Sequence, residues 1–282
     1  MNWGRFEGCF ARLDRAQEHR AEFGAEWARY IEGRPAELSV RVEGSGRGTI
    51  SIVRYQPPPH RLSLLVGEFL YELRAALDNC LYESAVQYSS QDPPPDEGLL
   101  QFPIYDTAES WTRNLYRLRH LSDEHRAMLE RIQPYQAQRQ DLNCLRILNR
   151  LARNDRHRAL HVVSSVLANG AMLVKAPPGS KVITQHKVDG VIVSNHRVTE
   201  IASFTIEPWT PGQQVDVLAE IELEVEITEM TAERPWGSLD KRLTALHRAV
   251  FEYVEGLAAY ALGWTEPAID EDLPTRQDAT HG

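Results

Sequence analysis

The sequence predicts an α+β fold, in which a helical bundle packs with an antiparallel β-sheet and long helices lie at both ends of the chain. Apolar residues recur every three or four positions, which is the helical period, over 5–32, 61–88, 107–119, 123–132, 140–157 and 238–263. Apolar and acidic residues alternate over 215–229, which predicts a half-buried strand with one solvated, acidic face. The helical block (about 61–158) precedes the strands (about 159–230) instead of alternating with them, so α+β is favoured over α/β.

Turn residues divide the chain between these elements. A glycine-rich GSGRG turn lies between two alternating segments and predicts a hairpin over 37–55, and the prolines that follow block further pairing. Asn169-Gly170 and Asp189-Gly190 predict further turns among strands that include 198–207. Because no linker separates helices from strands at 158–160, we expect one domain over 1–264. Residues 265–282 contain prolines and acids and are expected to be disordered.

Composition restricts the class of protein. The formal net charge of −9 argues against broad, nonspecific attraction to nucleic acid or to anionic membranes. No apolar leader and no apolar run of about 18 residues occurs, which predicts a cytoplasmic protein without a membrane partner. Three distant cysteines favour neither a disulfide framework nor a cysteine zinc site. We expect no cofactor, and the sequence leaves open a homodimer.

Charged residues in otherwise apolar helix faces identify the candidate site. Arg74 and Asp78 lie four residues apart in the apolar stripe of helix 61–88. Near the end of helix 140–157, Asn154, Asp155 and Arg158 continue an apolar stripe in the same way. A buried charge needs a partner, so we expect Arg74 to meet Asp155 and Asp78 to meet Arg158 or His157. Such a network is compatible with a ligand pocket or with a purely structural ion pair.

The remaining basic residues of this helix are expected to face solvent or a ligand. They are Arg150, Arg153 and Arg156, and cations near a helix C-terminus are also favoured by the helix dipole. His157 and His161 have the HxxxH spacing of a metal site, but the helix is expected to end near His157 and no HExxH motif is present, so we expect no metal. His120 and His125 are expected to be solvated surface residues.

Four segments, in order along the chain, resemble a family of bacterial proteins of unknown function. They are LYELRAALDNCLYE (70–83), FPI (102–104), RIQPY (131–135) and LNRLARNDRHRALHVV (148–163). Family members carry motifs of the types LRSALDH and DKHR; here Asn79 stands in place of the usual histidine and Arg156 in place of the lysine. The resemblance implies a site at these motifs and implies no reaction.

The helical part also resembles HEPN domains, several of which cleave RNA. Their signature is an arginine and a histidine with four to six residues between them. Six residues lie between Arg150 and His157, and four lie between Arg156 and His161. The resemblance implies metal-independent cleavage, with His157 as acid or base and Arg150 or Arg153 on the phosphate.

Three functions therefore remain open. The first is a binding or accessory protein, whose polar pocket recognises a small anionic ligand or a partner. The second is a HEPN-like ribonuclease acting on RNA. The third is a purely structural network without an active site.

Overall fold

The computed structural model of the chain describes residues 3–166, 172–188, 191–193, 198–219 and 222–264. It confirms the α+β class. The helices are α1 (Glu7–Glu32), α2 (His60–Ser89), α3 (Ala108–Asn114), α4 (Asp123–Arg131), α5 (Cys144–His157) and α6 (Leu239–Ala261). The strands are β1 (Ala36–Val42), β2 (Arg47–Tyr55), β3 (Val162–Val166), β4 (Met172–Lys175), β5 (Lys181–Lys187), β6 (Val191–Ile192), β7 (Thr199–Glu207), β8 (Asp216–Ala219) and β9 (Leu223–Ile227).

The helical core is built around α2, whose apolar side chains are buried along its whole length. Helix α1 packs along α2, and α5 and α6 pack against other parts of it. Side-chain caps fix the starts of four helices, and in α3 the side chain of Thr107 accepts from the backbone N–H of Ser110. Ser122 accepts from the backbone N–H of His125, Asn143 from that of Arg146, and Ser238 from that of Lys241. Each cap satisfies a backbone donor that the first helical turn leaves unpaired.

All strand pairs in the described part of the chain are antiparallel, and they form three sheets. The largest has the order β1-β2-β7-β5, so the predicted N-terminal hairpin pairs with the predicted strand at 199–207. The other sheets have the orders β6-β3-β9 and β4-β8. A second apolar core lies on the largest sheet and includes Ile50, Ile52, Ile201, Phe204 and Ile206.

The prediction of one strand over 215–229 is wrong. Two strands occupy this stretch, and they belong to different sheets, because β8 pairs with β4 whereas β9 pairs with β3. Residues 220–221 between them lie outside the described residues. So do the predicted turns at Asn169-Gly170 and Asp189-Gly190 and the predicted disordered tail, 265–282.

The acidic face of this stretch is also not uniformly solvated. Glu226 of β9 has no exposed surface and forms a two-fold hydrogen-bonded ion pair with Arg242 of α6, at 2.8 and 2.9 Å. Arg242 also donates to the backbone carbonyl of Met230 at 2.6 Å. A buried carboxylate requires such pairing, so this glutamate ties a strand to the last helix. Among the helices that the structure describes, none is long and apolar enough to cross a membrane.

Candidate functional site

Helix α5 carries the candidate cluster at its C-terminal end. Leu145, Ile147, Leu148 and Leu151 are buried and fix the helix against the core. The last helical residue is His157, and the backbone N–H of Arg158 bonds to the carbonyl of Asn154 at 2.9 Å. The five residues Arg153, Asn154, Asp155, Arg156 and His157 thus form the last turn and a half of the helix. At about 100° per residue, Arg153, Arg156 and His157 lie on one side of the helix and Asp155 on the other.

Arg74 and Asp78 do not pair with α5. Their partner is the backbone of Phe102, the first residue of the FPI motif (102–104). Asp78 Oδ1 accepts from the Phe102 N–H at 2.7 Å, and Arg74 Nη2 donates to the Phe102 carbonyl at 2.6 Å. The two side chains also form an ion pair at 3.3 Å. The expected contacts of Arg74 with Asp155 and of Asp78 with Arg158 or His157 are therefore wrong, because both charged groups bind the nearer backbone of Phe102. Arg74 Nη1 has no hydrogen-bond partner among the described atoms.

This arrangement, which we call the Phe102 clamp, holds the Phe102 ring in the helical core, where it is 1% exposed. Burial lowers the pKa of Arg74, and the charge of Asp78 opposes that shift. Burial likewise raises the pKa of Asp78, against the opposing effects of Arg74 and of the Phe102 N–H. The charge of Arg156 acts on both groups, which places that arginine beside the clamp.

Asp155 lies on the opposite side of the last turn of α5, against α2 at Gly67. A Cβ atom at position 67 would lie 2.6 Å from Asp155 Oδ2, so only glycine lets the carboxylate approach the helix this closely. Burial raises the pKa of Asp155, and a hydrogen bond from the backbone N–H of Leu160 partly offsets that rise. Asp155 therefore holds the chain that leaves α5.

Two of the predicted site arginines are engaged by glutamates that sequence reasoning missed. Arg150 pairs with Glu233, whose side chain is only 4% exposed. Arg158 Nη2 lies 3.7 Å from Glu229 Oε1, which also lies 3.0 Å from Nδ1 of His161. Glu229 and Glu233 are four residues apart in the 3-10 segment Thr228–Trp236, directly after β9. Their four-residue spacing was the only sign of them in the sequence. It could not identify their partners, which are more than 65 residues away in the chain.

Burial would raise the pKa of Glu229, but hydrogen bonds from the backbone N–H and the ring of His161 outweigh it and hold this pKa below its usual range. His161 follows the end of α5 and faces Glu229, so it does not share a helix face with His157. Within the described ranges, no three His, Cys, Asp or Glu side chains have an arrangement that could hold a metal ion.

Three basic side chains at the end of α5 remain exposed: Arg153, Arg156 and His157. We call them the arginine surface. Arg156 Nε donates to the backbone carbonyl of Ala152 at 3.3 Å. None of the three lies within ion-pair distance of a carboxylate in the part of the chain that the structure describes. Asn154 is half-buried beside them.

Comparisons of the chain with protein-family models, with curated proteins and with solved structures find no significant match. The resemblances noted from the motifs therefore stay predictions, and function is argued from the site itself.

Proposed function

We propose that the protein is a binding or accessory protein that holds a phosphate-bearing anionic ligand on the arginine surface. One observation carries this proposal. Neighbouring Arg146, Arg150 and Arg158 pair with Asp106, Glu233 and Glu229, whereas Arg153, Arg156 and His157 face solvent without a described carboxylate partner.

The chemistry of these side chains suits a phosphate group. Guanidinium groups present a planar fork of N–H donors that matches the oxygens of phosphate, and Arg153 and Arg156 are three residues apart, so they are neighbours on one helix face. The negative end of the helix dipole favours cations here but disfavours an anion. The ligand must therefore be held by side chains and not by backbone N–H groups.

Two tyrosines in the segment that follows the Phe102 clamp support RNA as the phosphate-bearing ligand. Burial raises the pKa of Tyr105, and the charges of the nearby Arg74 and Arg117 partly oppose that rise. Tyr116 is 50% exposed, and Arg117 lies over its ring at 5.9 Å. Exposed aromatic rings beside arginines are typical of surfaces on which single-stranded bases stack. A cytoplasmic location is part of this proposal because it gives access to RNA.

The test is fluorescence anisotropy with a labelled single-stranded RNA of 12 nucleotides, with inorganic phosphate as competitor. We expect the double variant Arg153→Gln/Arg156→Gln to bind the RNA at least tenfold more weakly than the wild type. The matched control is Arg139→Gln/Arg248→Gln, because these arginines are exposed and paired with Asp141 and Glu252. Equal weakening by both double variants, or no binding of RNA and no effect of phosphate, contradicts the proposal.

A HEPN-like ribonuclease is the second candidate, favoured by the exposed and unpaired His157. Arg150 is held by Glu233, so Arg153 is the better candidate to contact the phosphate. The RNA from the binding assay is run on a denaturing gel, with His157→Ala beside His186→Ala, a change of another exposed histidine. Cleavage lost only in His157→Ala supports the nuclease, whereas intact RNA with retained binding supports the binding protein. Equal cleavage by all samples indicates a contaminant.

The purely structural function is best assigned to the Phe102 clamp, since both of its charges are used to hold a backbone. We therefore place Arg74 and Asp78 beneath the proposed ligand site, where they position the segment that carries Tyr105.

A further inference from the structure

A cavity of about 470 Å³ lies on the Asp155 side of the last turn of α5, between α1, α2 and the residues that follow α5. It is separate from the arginine surface, and the proposed function does not use it. Three carboxylates line it: Glu68, Glu72 and Asp155. Arg15, His19, Tyr71 and Leu64 contribute further side chains.

The cavity has an excess of negative charge because its arginine and one of its carboxylates are already paired. Arg15 binds Glu18 at 2.6 Å, and Glu72 accepts from Arg12 at 2.9 Å. In the described residues, neither Glu68 nor Asp155 lies within ion-pair distance of an arginine or a lysine. These two carboxylates thus lack an arginine or lysine in direct contact among the described residues, although the charge of Arg15 also acts on Glu68.

His19 supplies a second observation that points to a ligand in this cavity. Its side chain is only 7% exposed, and Nδ1 is buried without a hydrogen-bond partner among the described atoms. This atom lies 3.2 Å from Glu68 Oε2, but outside hydrogen-bond geometry. Buried polar atoms are rarely left unbonded, and an unprotonated ring nitrogen accepts a hydrogen bond, as carboxylates do. This nitrogen and the carboxylates of Glu68 and Asp155 are therefore acceptors that a cationic donor in the cavity can meet.

The walls of the cavity suit the carbon chain of an organic cation. Tyr71 and Leu64, which are 64% and 57% exposed, form its mouth. A tyrosine ring face attracts an ammonium group and also packs on methylene groups. At the base, the absence of a side chain at Gly67 leaves room for the Asp155 carboxylate, whose buried charge a cation would stabilise.

We propose that this cavity binds a small organic cation with primary ammonium groups, such as a linear diamine. Glu68 and Asp155 pair with the ammonium groups, Nδ1 of His19 accepts one N–H, and the ring of Tyr71 covers the chain. A linear diamine carries two ammonium groups for the two carboxylates and a carbon chain for the ring of Tyr71, whereas a metal ion has no such chain and an anion has the wrong charge.

The test is isothermal titration calorimetry of the full chain with 1,4-diaminobutane, beside 1,4-butanediol, which has the same length and no charge. We expect one diamine bound per chain and no binding of the diol. Glu68→Gln should weaken diamine binding at least tenfold, and Tyr71→Leu at least threefold. The matched control is Glu83→Gln on the same helix, outside the cavity and paired with Arg5, which should change the affinity less than twofold.

Glu68 and Tyr71 are more than half exposed, so both variants are expected to fold, and circular dichroism checks this. A shift of the His19 ring signals in the NMR spectrum on adding diamine gives a second readout. Binding that is absent, that is matched by the diol, or that Glu68→Gln and Glu83→Gln weaken equally would overturn the proposal. The variant Arg153→Gln/Arg156→Gln should still bind diamine, so this inference and the proposed function fail independently.

Discussion

At the scale of single residues, His125 shows how far burial moves a side chain from its ordinary chemistry. It has no exposed surface, and its ring lies edge-on to Tyr88 and Tyr260. Nδ1 is 3.2 Å from the Tyr88 hydroxyl, whereas Nε2 has no partner among the described atoms. Burial lowers its pKa to about 4. The expectation of a solvated histidine is wrong because the apolar surroundings come from α2 and α6, which its own sequence neighbourhood does not reveal.

His125 should make the protein lose stability in mild acid. The unfolded chain binds the proton with a pKa of about 6.5 and the folded protein only near 4, so stability is complete above about 6.5 and falls as the pH drops toward 4. At pH 5 this effect lowers the free energy of unfolding by about 2 kcal/mol. Urea unfolding at pH 7.5 and pH 5 measures it.

The matching variants are His125→Phe and, as control, His60→Phe at an exposed position. Between pH 7.5 and pH 5, we expect His125→Phe to lose about 2 kcal/mol less of its free energy of unfolding than the wild type loses. An unchanged pH dependence in His125→Phe would show that other groups cause the acid sensitivity.

At the scale of elements, the Phe102 clamp joins α2 to a segment without regular structure. Replacing Asp78 with alanine leaves the Phe102 N–H without its acceptor and Arg74 without its counter-charge. We expect a loss of about 2–4 kcal/mol in the free energy of unfolding. Hydrogen exchange followed by mass spectrometry should show faster exchange over 100–105 than in the wild type. Glu83→Ala, which removes a partly exposed ion pair on the same helix, should cost less than about 1 kcal/mol and leave that exchange unchanged.

The contact between α2 and α5 at Gly67 gives a second prediction at this scale. Alanine is more stable than glycine inside a helix by about 0.5–1 kcal/mol. At Gly256 in α6, an added Cβ meets nothing within 4 Å, so Gly256→Ala should raise the melting temperature. At Gly67 the same atom would overlap the Asp155 carboxylate, so Gly67→Ala should lower it. Equal shifts in thermal unfolding of the two variants would contradict the close contact of Asp155 with α2.

At the scale of the whole molecule, the net charge of −9 opposes an anionic ligand, so binding must depend on a few local cations. Each arginine that contacts a phosphate of single-stranded RNA makes the plot of log affinity against log salt steeper by about 0.7. We expect Arg153→Gln/Arg156→Gln to make this plot shallower by about 1.4, measured by anisotropy between 50 and 200 mM salt. A parallel plot with lower affinity throughout would mean that these arginines act without contacting phosphate.

Helix positions and fold class were determined by the sequence alone, because the spacing of apolar residues records which side of each element faces the core. The predicted helix 61–88 agrees with α2 to within one residue at each end. The predicted helix 140–157 ends where α5 ends but begins four residues too early, because Gln140–Leu142 form a separate 3-10 segment. Local spacing also identified Arg74 and Asp78 as charges within an apolar stripe.

Only the tertiary structure decided which partners these charges meet. Arg74 and Asp78 bind the backbone of Phe102, Asp155 lies against Gly67, and Glu226 is buried with Arg242. Periodicity places a residue on a face but does not tell which distant segment covers that face. The arginine surface and the cavity beside Asp155 lie on two sides of the last turn of α5. Neither could be recognised from the sequence, because only the tertiary structure shows which neighbouring charges are paired with distant segments.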